Sequence, residues 1–206
     1  MLTCIIPAAG ESKRFPWNKL LYTYSDKPLI IQTIENIVKS GFIDNIVLVL
    51  GYQSDLIMET LKKDNIRNIH IVYNPEYHIG MSSSIRKGIE YIVENWLKAD
   101  GIVINPADAA WIHPGIYAYI AVKYYEYMNR YDIVVAACNG RRGHPIIFAP
   151  RLISDLLNIT EEKQGIREIT SKYQYSTLIV ETSYPGVILD LDNIHDLLRV
   201  KSLLYV

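Results

Sequence analysis

The sequence predicts an α/β fold in which helices cover both faces of a mostly parallel central sheet. Two observations carry that expectation. Runs such as Leu2–Pro7, Ile46–Leu50 and Ile102–Ile104 are apolar at nearly every position, as strands buried on both faces are. Segments with apolar residues at helical spacing lie between them. At 206 residues, half of them hydrophobic, the chain is long enough to build one domain over residues 1–206 with a full core.

Each element has its own signal. Leu2–Pro7 opens as a short apolar strand. Ile30–Val38 has helical spacing and stops before Gly41, a residue suited to a C-cap. Strand Ile46–Leu50 is followed by a helix to about Lys63, with Ser54 or Asp55 as its cap. Ile69–Tyr73 is the next strand, and Ser82, Ser83 and Ser84 precede a helix reaching about Leu97. Strand Ile102–Ile104 leads to Pro114, which opens a helix rich in tyrosine. Ile133–Ala137 and Ile146–Phe148 read as strands, Ile166–Tyr173 as a helix, Thr177–Val180 and Val187–Leu191 as strands, and Ile194–Leu204 as a closing helix.

Composition narrows the function classes. The 21 basic and 22 acidic residues leave a formal charge of −1, which does not suit a general nucleic-acid binder. No apolar run reaches the roughly 18 residues of a membrane span, and no secretory leader is expected. Cys4 and Cys138 sit in apolar runs without metal-ligand spacing, as expected of a cytoplasmic protein. Of the sixteen tyrosines, Tyr117, Tyr119, Tyr124, Tyr125, Tyr127 and Tyr131 cluster and read as packing groups on a helix rather than a base-stacking platform.

In a parallel sheet the ligand sits beyond the carboxyl ends of the strands. The loop after the first strand holds Ala8, Ala9 and Gly10, then Arg14 and Lys19. Small residues let the backbone approach an anion, and the two cations suit a polyphosphate. A tight turn with surface cations would look the same. Neither G-x-x-x-x-G-K-[ST] nor G-x-G-x-x-G is present. Asn105–Ala110 follows the strand at Ile104 and brings Asp108, placed either to hold Mg²⁺ near phosphate oxygens or to close a turn. Asp190 and Asp192 share one face of a late strand end, where one of them, or Asn193, would also serve as a cap. Gly80 with Ser82, Ser83 and Ser84 offers hydroxyls and free N–H groups to a base or ribose. His144, after Arg141 and Arg142, sits in a turn entering a strand. It either faces an acceptor phosphate or caps that turn.

Taken in order, these blocks resemble a known family. Pro7-Ala8-Ala9-Gly10-Glu11-Ser12-Lys13-Arg14 with Lys19, Asn74 with Gly80-Met81-Ser82-Ser83-Ser84 and Gly88, the Asp108 loop, Gly143-His144-Pro145, Gly165-Ile166-Arg167 and Leu189-Asp190-Leu191-Asp192 are similar to the blocks of nucleotidyltransferases related to molybdenum cofactor cytidylyltransferase. The resemblance implies a Rossmann-like, glycosyltransferase-A-type fold and Mg²⁺-dependent transfer of CMP from CTP to the terminal phosphate of molybdopterin, with release of pyrophosphate. It implies catalytic roles for Arg14, Lys19 and Asp108, and Mg²⁺ held by Asp108 and Asp190. Nucleotide contacts would come from Ala8, Ala9, Gly10, Asn74, Gly80 and Ser82–Ser84, and acceptor contacts from His144 and Arg142. A molybdoenzyme or chaperone would be the protein partner. The Ala8-Ala9-Gly10 form resembles the cytidylyl branch. Phe15-Pro16, Ala109-Ala110, Lys163 and Asn193-Ile194 depart from the family pattern. A cytidylyl- or guanylyltransferase acting on a sugar phosphate or alcohol phosphate, and a nucleotide-binding protein that delivers a cofactor without catalysis, are the alternatives.

Overall fold

The computed structural model describes residues 1–24, 26–189, 191, 196 and 200. One seven-stranded sheet organises them. In chain order the elements are β1 (Leu2–Ala8), β2 (Thr23–Tyr24), β3 (Lys27–Pro28), α1 (Leu29–Lys39), β4 (Asn45–Leu50), α2 (Ser54–Lys63), β5 (His70–Tyr73), α3 (Met81–Glu94) and β6 (Gly101–Ile104). There follow α4 (Pro114–Tyr127), β7 (Ile133–Cys138), β8 (Arg141–Phe148), α5 (Ile153–Leu157), α6 (Ile166–Lys172) and β9 (Thr177–Glu181). The sheet order is β5-β4-β1-β6-β8-β7-β9, and β2 and β3 form a separate small hairpin. Only β8 runs against its sheet neighbours, pairing antiparallel with β6 and β7. The remaining pairs in that sheet are parallel.

Strand alternation sends apolar side chains to two cores. Leu2, Cys4 and Ile6 of β1 join Ile46, Leu48 and Leu50 of β4 under α1, α2 and α4. Ile5, Val47 and Val49 point the other way, against Ile85, Ile89 and Ile92 of α3, Leu156 of α5 and Ile169 of α6. This two-sided burial is why the strands read as continuous apolar runs. Tyr117 and Tyr124 of α4 are buried in the first core, while Tyr119 and Tyr125 are exposed. A third cluster joins Phe15, Tyr24, Leu29, Ala110, Trp111, Leu189, Leu191 and Val200. No described helix is long and apolar enough to cross a membrane.

Some expectations change. Ser54 and Asp55 do not cap α2. The cap position is Gln53, held left-handed at φ 51° with no side-chain hydrogen bond. Ser82–Ser84 lie inside the first turn of α3 rather than before it, because Gly80 at φ 133° already makes the turn. Gly143-His144-Pro145 lies within β8. The actual turn is Asn139-Gly140, at φ 52° and 73°, a two-residue hairpin connection that favours those residue types. The strand expected over Val187–Leu191 is not seen in its described residues, and Asp190 lies outside them. Pro185–Ile188 form a 3-10 turn whose Val187 is buried, and a short buried run has the same sequence pattern either way. The closing helix expected at Ile194–Leu204 falls almost entirely outside the described residues.

Candidate active site

The carboxyl ends of β1 and β6 point to the same edge, because both strands run parallel with β1 in the middle. The loops that follow them meet there, together with the turn that opens α3. They enclose a cavity of about 450 Å³ lined by Ala8, Ala9, Gly10, Arg14, Lys19, Gly80, Ser84 and Asp108, among others. Tyr77, His78 and Met81 also line it.

Local forces shape each wall. Ser12 turns the first loop with a left-handed φ of 52°, and its Oγ accepts from the Lys19 N–H at 3.2 Å. Phe15 is buried in the third cluster and anchors the loop from below. The Tyr52 N–H donates to the Ala9 carbonyl at 3.1 Å, tying the loop to the end of β4. A side chain at Gly51 would meet Tyr77 Cβ at 2.6 Å and Ala9 Cβ at 2.8 Å, so that close approach needs glycine. Lys19 then begins a 3-10 turn, with the Asn18 side chain accepting from the Leu20 N–H at 3.1 Å.

The second wall is held from α1. The Thr33 hydroxyl, fully buried, donates to the Ala107 carbonyl at 2.9 Å, and Asn36 Nδ2 donates to the Ala110 carbonyl at 3.0 Å. Asn105 accepts from the Tyr117 hydroxyl at 3.2 Å. Ala109 and Ala110 pack into the first and third cores. The two departures at Phe15 and Ala110 therefore serve packing beneath the loops. Lys19 Nζ donates to Asp108 Oδ2 at 2.5 Å and to the Leu191 carbonyl at 2.9 Å, so one cation links three segments of the edge.

The serines divide. Asn74 Nδ2 donates to Ser83 Oγ at 2.9 Å and to Ser84 Oγ at 3.1 Å, while its Oδ1 accepts from the Glu76 N–H at 3.0 Å. The Ser83 hydroxyl donates to the Gly80 carbonyl at 2.8 Å. Ser84 reaches the cavity lining, and Asn74, Ser82 and Ser83 stand behind it. His144 is half-buried on β8, outside that lining. Burial pushes its pKa down to about 4, against the pull of the Asp108 carboxylate and the Ile104 carbonyl, so the ring is neutral at physiological pH. Its Nδ1 is buried without a hydrogen-bond partner among the described residues. Arg142 is exposed on the same strand. Asp190, Asp192 and Asn193 lie outside the described residues. Thr33, Asn36, Tyr77 and Glu161, which touch or support the site, have no sequence signal of their own, because their partners are distant in the chain.

Asp108 is a carboxylate facing a cavity edged by cations. Mg²⁺ is commonly bound by one or two carboxylates plus substrate phosphates. Among the described residues no group of three or more His, Cys, Asp or Glu could hold a metal ion.

Comparison with known proteins fits this geometry. The chain is 25% identical to molybdenum cofactor cytidylyltransferase of Escherichia coli over 204 residues, covering 98% of this chain and 96% of that protein. It is 30% identical to a probable molybdenum cofactor guanylyltransferase of Thermococcus sibiricus over 109 residues, 52% of each chain. A 45-residue stretch, 22% of this chain and 19% of the other, is 53% identical to pseudaminic acid cytidylyltransferase of Campylobacter jejuni. In fold it matches a nucleotidyl transferase from Methanothermobacter at TM-score 0.79 and 19% identity, covering 98% of this chain and 96% of that one. It also matches Rv0371c of Mycobacterium tuberculosis at TM-score 0.78 and 21% identity, covering 98% and 97%. Residues 4–177 match the MobA-like NTP transferase domain, and the chain belongs to that family of nucleotidyltransferases.

Proposed function

We propose that this chain, acting as one cytoplasmic domain, transfers CMP from CTP to the terminal phosphate of molybdopterin. The observation that carries the reading is the single cavity bordered by the Ala8–Arg14 loop, Lys19, the α3 turn and Asp108. An acceptor phosphate oxygen attacks the α-phosphorus of CTP, the bond to the β-phosphate breaks, and pyrophosphate leaves. The protein has no covalent step to perform. It positions the two phosphates and offsets charge as it builds on the leaving group. Arg14 and Lys19 face that leaving pyrophosphate. Asp108, with Asp190, would hold Mg²⁺, which would supply further neutralisation of the phosphate oxygens. The manganese complex of Rv0371c supports a divalent ion in a protein of this fold. Gly80 and Ser84 meet the base and ribose, with Ser82, Ser83 and Asn74 fixing the turn behind them. His144, neutral, and Arg142 face the acceptor. A molybdoenzyme or chaperone would then receive the product.

CTP as donor is supported by the E. coli cytidylyltransferase match along nearly the whole chain. Ala9 adds a physical argument. It lines the cavity, where a base packing over the loop would meet an alanine rather than a glycine, and a site built to hydrogen-bond one base leaves groups unpaired with another. The test is pyrophosphate release with CTP, GTP, ATP and UTP, with Mg²⁺ and molybdopterin. A clear CTP preference is expected. Equal rates with GTP would overturn the donor choice. Release only with another acceptor would favour a second reading, a cytidylyltransferase on a different phosphate or sugar, for which the local match to pseudaminic acid cytidylyltransferase speaks.

A further inference from the structure

Helix α3 begins without a side-chain cap of its own, because its cap position is Gly80. Its first N–H groups need acceptors from elsewhere. One comes from a segment far along the chain. Glu161 Oε1 accepts from the Ser82 N–H at 2.6 Å. This carboxylate lies directly on the turn. A side chain at Gly80 would run into Glu161, reaching its Oε1 at 2.5 Å. The contact is matched from the other side, where a side chain at Gly165 would come within 2.8 Å of Ser82 Oγ. Two glycines are thus spent on letting these two segments touch.

The segment bearing Glu161 is itself fixed. The Gln164 N–H donates to the Glu161 carbonyl at 2.9 Å, and the Gly165 N–H donates to the Thr160 carbonyl at 2.8 Å. Gln164 and Gly165 both take left-handed conformations, at φ 64° and 58°, to close this loop. Glu161 stands outside the lining of the cavity, whereas Gly80, Met81 and Ser84 are part of it. Whatever Glu161 does for a nucleotide, it does through the turn. Glu161 is also exposed to solvent and belongs to none of the buried clusters, so the core does not depend on it.

We propose that Glu161 is a positioning residue for the nucleotide, holding the Gly80–Ser82 turn in the shape that forms one wall of the donor cavity. The inference rests on the donor reading of that cavity. Without the carboxylate, the first turn of α3 loses its acceptor and the Gly80 backbone regains the freedom that glycine allows. Nucleotide binding then has to order the turn as well as fill the cavity.

The test compares wild type with Glu161→Ala and Glu161→Gln. Dissociation constants for CTP, GTP, ATP and UTP with Mg²⁺ are measured by calorimetry, and amide exchange at 81–84 is followed in the free protein. Glu161→Ala should weaken the preferred nucleotide about tenfold and speed exchange at 81–84. Glu161→Gln keeps an acceptor oxygen and should recover most of the affinity. The melting temperature of the free protein should stay close to wild type in both. Unchanged affinity in Glu161→Ala overturns the proposal and leaves the donor reading standing. Equal losses in the two variants, or a loss matched by a general fall in melting temperature, also overturn it. A wild type that binds none of the four nucleotides overturns the donor reading, and the role of Glu161 with it.

Discussion

Lys19 shows how one side chain can tie several segments of a site together. It begins a short turn, yet its ammonium reaches Asp108 and the Leu191 carbonyl. Lys19→Ala should lower kcat/KM by about 100-fold if it loses one transition-state phosphate contact. It should also cost about 1 kcal/mol of stability, since the Asp108 pair is only partly screened by solvent. Rate and melting curves on the same preparation check both. An unchanged rate would remove Lys19 from the phosphate site. Asp108→Asn should shift the Mg²⁺ titration of activity to higher concentration, and an unmoved titration would take Asp108 out of metal binding. Gly10, Arg14, Lys19 and Asp108 were legible as cavity-lining candidates because they lie in the segments that follow the ends of β1 and β6, where a parallel sheet collects its ligands. Asn74 was read as a nucleotide contact, yet its amide goes to Ser83 and Ser84. Residue type announces a hydrogen-bonding group, but folding chooses its partner.

At the scale of elements, β8 depends on the turn at Pro185–Ile188. A side chain at Gly143 would collide with the Val187 carbonyl. Gly143→Ala should therefore cost about 1–3 kcal/mol in urea unfolding, as overpacking does, and disturb His144 next to it. Stability equal to wild type would mean that the turn yields freely. The hairpin of β2 and β3 is tied to α1 in another way. Glu35 bonds to Lys27 and, at 2.8 Å, to Lys39, and these bonds hold its carboxyl below the ordinary 4.5. A lowered carboxylate stabilises the fold above its unfolded pKa, and that gain is lost as pH falls through the folded value. Glu35→Gln should cost up to about 1 kcal/mol at pH 7, with the difference from wild type closing as pH falls below 4.5. A difference that stays constant down to pH 3 would show that charge is not its source. Strands and long helices were legible because their periodicity is local. Val187 and Ile188, the start of the expected strand Val187–Leu191, belong instead to a 3-10 turn, and the expected turn at Gly143-His144-Pro145 lies in β8, because packing against other elements decides those outcomes.

For the whole molecule, the sheet order puts β1 between β4 and β6. The alternation of apolar strands and helices made the fold class legible. The antiparallel β8 was not, since a strand's direction leaves no mark in its own residues. The central place of β1 also has a consequence during synthesis. Its last residue, Ala8, leaves the ribosome well before the start of β6 at Gly101. At about 5–20 residues per second, one edge of a largely apolar strand waits several seconds for its partner. A nascent chain stalled shortly after β5 can pair β5, β4 and β1 but must leave the other side of β1 open. Such a chain should be far more sensitive to protease, and bind more chaperone, than one stalled after β6 has emerged and can pair. Protection already complete in the shorter chain would show that something other than β6 covers β1 in the interval. The strand that leads into the first wall of the cavity is thus also the segment most exposed to misassembly while the protein is being made.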